Sequence, residues 1–119
     1  MYDVIFYRNR QNREPVREFL LELAKQNGKD SRLNLRKIQD YIETLKRFGT
    51  RAGEPYVKHL TGELWELRPL RSRIIFVGFH NGTFVLLHAF VKKTQKTPAR
   101  EIKRAERELA DLKERGSEP

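Results

Sequence analysis

A single carboxylate among several cations is the arrangement in this sequence best suited to chemistry. Glu66 and Arg68 alternate along a short segment, Arg73 begins the next, and Lys92 and Lys93 close a later one. A carboxylate can accept a proton, while guanidinium and ammonium groups can stabilise charge growing on phosphate oxygens, so the set suits a phosphodiester. The plainer alternative is a Glu66–Arg68 or Glu66–Arg73 ion pair on the surface, where such pairs are often worth under ~1 kcal/mol.

The elements that must position these residues follow from periodicity. Tyr2 to Tyr7 is short, apolar and aromatic and predicts a first strand. Pro15 suits a first helical position, and Val16, Phe19, Leu20, Leu23 and Ala24 recur at helical spacing before Gly28. Asp30 or Ser31 is the expected cap of a second helix carrying Leu35, Ile38, Ile42 and Leu45 and ending at Gly49. Tyr56 to Leu60, Glu63 to Arg68, Arg73 to His80 and Thr83 to Val91 read as strands, with tight turns at Thr61-Gly62 and Asn81-Gly82. Thr97-Pro98 opens a last helix with a stripe of Ile102, Ala105, Leu109 and Leu112. The order β-α-α-β-β-β-β-α predicts an α+β fold: a small antiparallel sheet, two N-terminal helices on one face and a C-terminal helix. Residues 1–119 are expected to form one domain, with the tail 116–119 flexible. Alternation along Glu63 to Arg68 puts Trp65 and Leu67 under the helices and Leu64, Glu66 and Arg68 on the other face, expected to be open.

The chain has 119 residues, 25 Lys and Arg against 16 Asp and Glu, and a net charge of +9, which favours a polyanionic partner. The last helix is nearly balanced, as a solvated face would be. The surplus lies in the sheet region: Arg51, Lys58, Arg68, Arg71, Arg73, Lys92, Lys93 and Lys96, opposed only by Glu54, Glu63 and Glu66. Cysteine is absent, which excludes disulfides, zinc–thiolate sites and a thiol nucleophile and fits a reducing cytoplasm. Met1 to Tyr7 lacks the pattern of a signal peptide. Ile74 to Val91 carries no Asp, Glu, Lys or Arg, but the turn residues at its centre make it two strands and not a membrane span.

Other candidates are weaker. His59, His80 and His88 lack metal-ligand spacing, so no metal is expected. His59 and His80 read as solvated loop or turn residues, and His88 as a half-buried, hydrogen-bonded sheet residue. No Gly-rich phosphate loop or nucleophile elbow is present. The aromatics Trp65, Phe76, Phe84 and Phe90 are assigned to packing, which weakens the case for a base-stacking module.

Leu64-Trp65-Glu66-Leu67-Arg68, then Arg73-Ile74-Ile75-Phe76, then Leu86 through Pro98 resemble the HigB-like, phage-derived (Gp49-like) branch of the RelE/ParE toxin superfamily. Gly49 through Pro55 and Glu101-Ile102-x-x-Ala105 resemble it too. The likeness implies a RelE-like fold and a cytoplasmic toxin of a type II toxin–antitoxin pair, an endoribonuclease that cleaves mRNA on the 70S ribosome. Its implied partners are a HigA-like helix-turn-helix antitoxin, the ribosome and mRNA, with operator DNA reached only through the antitoxin complex, and no membrane. The implied reaction uses no metal or cofactor: the 2′-hydroxyl attacks the adjacent phosphate. Arg73 and Lys93 are then the implied clamps on the transition state, with Arg68 beside them. The chain departs from the RelE pattern by having Leu64 and Glu66 where lysines are found and no tyrosine in the last helix. Glu66 is the first candidate for the base, Lys92 or Lys96 the alternative donor or phosphate anchor, and His88 the third choice. Lys58, Arg71, Lys92 and Lys96 are the expected RNA-binding residues. The rivals are a ParE-like toxin directed at gyrase and a non-catalytic RNA- or DNA-binding module.

Overall fold

A computed structural model describes residues 1–116; the tail expectation falls mostly on 117–119, outside the described residues. The elements are β1 (Asp3–Phe6), α1 (Pro15–Lys25), α2 (Lys29–Phe48), a 3-10 turn (Gly49–Ala52), β2 (Val57–Thr61), β3 (Leu64–Leu67), β4 (Ser72–Phe79), β5 (Thr83–Val91) and α3 (Ala99–Glu114). They follow the predicted order. The five strands form one sheet in the order β1-β5-β4-β3-β2. β2 to β5 pair antiparallel with their neighbours, while β1 runs parallel to β5. The chain leaves β1 at one edge, passes through α1 and α2, and re-enters as β2 at the far edge.

Pro15 sits at the start of α1, where its missing N–H goes unused. α1 ends at Lys25, short of the expected stop at Gly28, and Gly28 instead caps α2. Neither Asp30 nor Ser31 is the cap, because the short connection makes α2 start at Lys29; the Ser31 hydroxyl bonds Gln26. Gly49 ends α2 with φ of 62°, and a Cβ there would lie 2.8 Å from the Tyr2 ring, so both backbone and space require glycine.

The sheet has two covered faces. Val16 and Leu23 of α1 and Ile38 and Leu45 of α2 pack on Leu67, Ile74, Phe76 and Leu86. Ala105 and Leu112 of α3 pack on Leu64, Ile75, Val77, Val85 and Leu87 from the opposite side. The expectation that the face carrying Glu66 and Arg68 is open is therefore corrected. The apolar stripe of α3 must be buried against something, and this is the sheet face left to it. Ser72 to Val77 is buried throughout as a result.

The far end of α3 is tied down by charge. The Tyr7 hydroxyl donates to Asp111 at 2.5 Å, and Arg10 and Arg115 each donate to the same carboxylate at 2.7 Å. Burial pushes the Asp111 carboxyl up, but the bonds from Tyr7, Arg115 and Arg10 outweigh it and hold the group below its ordinary value.

Glu108, one turn before Leu112, is buried beside these groups, and its Oε1 has no hydrogen-bond partner. Burial pushes its carboxyl up to about 7, against weaker pulls from Arg104 and Arg107. A carboxyl raised on folding favours the fold fully below its unfolded value, and that contribution is lost as pH rises through the folded value. Glu108→Gln keeps the shape without the charge. In urea denaturation at pH 5 and pH 8, the variant should gain stability over the parent at pH 8 only, by on the order of 2–3 kcal/mol.

Candidate active site

Glu66 lies on β3 and faces α3, as Leu64 does. It is 1% exposed. Its Oε2 accepts the Thr97 hydroxyl at 2.7 Å, from the loop that leads into α3. Its Oε1 faces two guanidiniums, with Arg68 Nε at 3.7 Å and Arg73 Nε at 3.9 Å. Neither distance is a hydrogen bond, so the attraction is that of charges held close in a poorly solvated place.

Arg73 is the second residue of β4 and is 6% exposed. Its Nη1 donates to the Leu70 carbonyl at 2.9 Å and to the Ser72 carbonyl at 2.7 Å. Burial pushes its guanidinium below the ordinary arginine value, and nearby Arg68 adds to this, while Glu66 pulls it back up. Arg68, just past β3, keeps about a quarter of its side chain exposed, and its Nη1 lies 3.5 Å from Glu54. Its Nε is buried without a hydrogen-bond partner. Among the enclosed groups one carboxylate, Glu66, faces two guanidiniums, and the exposed Glu54 offsets Arg68 from the rim.

Lys58 adjoins this cluster across the sheet, and the other cations line two clefts. Lys58 on β2 pairs in register with Glu66, so it stands on the same face, exposed. The Lys92 backbone N–H bonds the Arg71 carbonyl, which joins the end of β5 to the turn before β4. Arg71, Lys92 and Lys93 line one cleft of about 730 Å³. Lys93, Lys96, Thr97 and Glu101 line a second, of about 710 Å³, with Phe90 among its walls. Lys93 belongs to both, and Thr97 links the second cleft to Glu66. The eight predicted site residues thus fall into an inner trio, the buried Glu66 and Arg73 with the partly exposed Arg68, and an outer set of cations.

Several partners of these residues are not legible in the sequence. β5 carries a bulge: Ile75 pairs with His88 but Phe76 pairs with Leu86, so Leu87 is an extra residue. It turns His88 onto the α3 side, where His88 Nε2 meets Glu101 Oε1 at 2.6 Å. Strict alternation would place His88 with Leu86 on the other face. Thr97 was legible only as part of the helix start. His59 and His80 are exposed; His59 Nε2 bonds the Gly62 carbonyl at 2.8 Å and packs its ring on Trp65. Among the described residues no group of three or more His, Cys, Asp or Glu could hold a metal ion, and no helix is long and apolar enough to cross a membrane.

A family model described as phage derived protein Gp49-like (DUF891) matches residues 18–110, from α1 into α3. The chain belongs to this family, which is the family of HigB-like toxins. A search of curated proteins gave no match.

Removing the charge of Glu66 should leave the buried Arg73 without its counter-ion and Arg68 with only the exposed Glu54. Breaking a buried pair from one side typically costs about 3–5 kcal/mol. Glu66→Gln, which retains a side-chain oxygen for Thr97, should therefore lower the unfolding free energy by about 2–4 kcal/mol in chemical denaturation. A loss below about 1 kcal/mol would mean that the trio is solvated in the manner of a surface pair.

Proposed function

We propose that the protein is the toxin of a toxin–antitoxin pair and acts in the cytoplasm as an endoribonuclease on ribosome-bound mRNA. The observation that carries this reading is the cluster of Glu66, Arg68 and Arg73, tied through Thr97 to a cleft that holds Lys93 and Lys96, in a chain of the HigB-like toxin family. In the reaction the RNA 2′-hydroxyl attacks the adjacent phosphate, leaving a 2′,3′-cyclic phosphate and a 5′-hydroxyl. A HigA-like antitoxin holds the toxin inactive, and operator DNA is reached through that complex.

The burial of the trio divides the work. Arg68 and Lys93 have exposed surface and reach the phosphate, while Arg73 and Glu66 are enclosed and hold Arg68 in place. Glu66 has both oxygens engaged and no open path to a 2′-hydroxyl, which favours a positioning role over that of base. Lys58, Arg71, Lys92 and Lys96 neutralise the RNA backbone, a contribution that weakens with salt through counterion release.

Single-turnover cleavage of ribosome-bound mRNA, with chelator present, tests this reading. Arg68→Ala and Lys93→Ala should each slow cleavage by ~10²–10³, the usual effect of losing a preorganised donor. Lys58→Ala should instead weaken ribosome binding modestly and flatten its salt dependence. Absence of cleavage by the parent protein, with DNA damage in place of translation arrest on expression, would overturn the proposal in favour of a gyrase-directed toxin.

A second outcome concerns Arg73. Because two carbonyls and Glu66 enclose it, Arg73→Lys should lose stability as well as rate, since an ammonium lacks the fork that spans these acceptors. Thermal melting beside the cleavage assay separates the two; an unchanged melting point would place Arg73 among the phosphate contacts.

A further inference from the structure

The trio leaves the reaction without a proton acceptor that reaches a cleft. One pair of titratable groups outside it does reach one. Glu101, in the first turn of α3, lines the cleft shared by Lys93, Lys96 and Thr97. Its Oε1 is bonded to His88 Nε2 at 2.6 Å, with both side chains mostly but not wholly buried. Its Oε2 faces Arg100 at 3.6 Å. Behind the pair, the His88 ring stacks on Phe90 at 5.7 Å, and Ile75 is its partner across the sheet.

This contact depends on two features of the fold. The bulge at Leu87 delivers His88 to the α3 face, and bulges recur next to active sites because they re-aim a side chain. The helix start at Pro98–Ala99 then places Glu101 in the first turn, where the helix dipole favours its carboxylate. A plain structural tie between strand and helix needs neither a cleft nor cations lining it, and this site has both.

We infer that Glu101 and His88 form the acid–base pair of this site, Glu101 as the catalytic carboxylate open to the cleft and His88 as the positioning residue behind it. The inference rests on the ribonuclease reading above. The Glu101 carboxylate takes the proton of the 2′-hydroxyl as the 2′-oxygen bonds to phosphorus. The phosphorus–5′-oxygen bond breaks, and the leaving oxygen takes a proton from the Lys93 ammonium in the same cleft. Solvent then removes the proton from Glu101 and restores that of Lys93. His88 donates its Nε2–H to the carboxylate and fixes its direction.

The test is single-turnover cleavage of ribosome-bound mRNA across pH, with ribosome binding and thermal melting measured alongside. Glu101→Gln should slow cleavage ~10²-fold or more, within the range for a positioned acid–base group, while ribosome binding stays within twofold. The parent's rate should fall on the acid side as the pair takes up a proton, and Glu101→Gln should lack that limb. His88→Asn should move the limb, since the groups around the pair (Arg100, Lys93, Lys96, Arg73 on the neighbouring strand β4 and Glu66 on β3 beyond it) are unchanged. Glu101→Asp keeps the charge, so it should keep the limb at a lower rate and remains informative if Glu101→Gln folds poorly. Cleavage by Glu101→Gln within threefold of the parent, or losses in all three variants that match the loss of folded protein with an unchanged pH profile, would overturn the inference alone. A parent protein that binds ribosomes but cleaves no RNA would overturn it together with the nuclease reading.

Discussion

A strand buried on both faces leaves no room for an unpaired charge, and β4 carries Arg73 into that position. Taking a guanidinium out of water is costly unless hydrogen bonds and an opposite charge replace the lost solvent. The Leu70 and Ser72 carbonyls and the Glu66 carboxylate are that replacement. Glu66 in turn is covered because α3 lies over its face, and Thr97, on the loop entering α3, donates to it. The position of α3, the burial of the acid and the fixed direction of the arginines are one linked arrangement.

That arrangement separates rigidity from reach. The inner charges are held by groups that move only if the sheet or α3 moves. The outer cations Lys58, Arg71, Lys93 and Lys96 sit on strand surfaces and loops with exposed side chains. An exposed cationic rim thus lies outside a charge whose geometry is already set. Preorganised charge of this kind acts on a transition state without the reorganisation that water requires, whereas rim charges chiefly govern encounter and salt dependence.

The two ends of α3 do different work. Towards its C-terminus, Asp111 collects bonds from Tyr7, Arg10 and Arg115, and Lys113 reaches Glu63 on the sheet side. These contacts anchor the helix to β1 and to the β2–β3 hairpin. Towards its N-terminus, Glu101 meets His88 beside the clefts. Glu108, between the two, is the one buried carboxylate of the helix stripe. It weakens a contact that an apolar residue would strengthen, which makes the packing of this helix responsive to pH.

The sequence alone was enough to set the order of elements, the α1 and α2 stripes, the two tight turns and the family likeness, because each is local: periods of two and 3.6, glycine where φ is positive, and short motifs in fixed order. It also singled out Glu66, Arg68 and Arg73 as a group, since alternation on adjacent strands puts them on one face. What it did not reveal was that this face is covered. An amphipathic α3 fits either side of a sheet, and only closure of the whole chain decides which side remains for it. The same holds for the Leu87 bulge. One extra residue in β5 inverts the side on which His88 falls, and no residue type at that point announces it, because a bulge is a property of two strands paired together. Local chemistry named the residues, and tertiary packing decided which of them are buried, which meet, and which face a cleft.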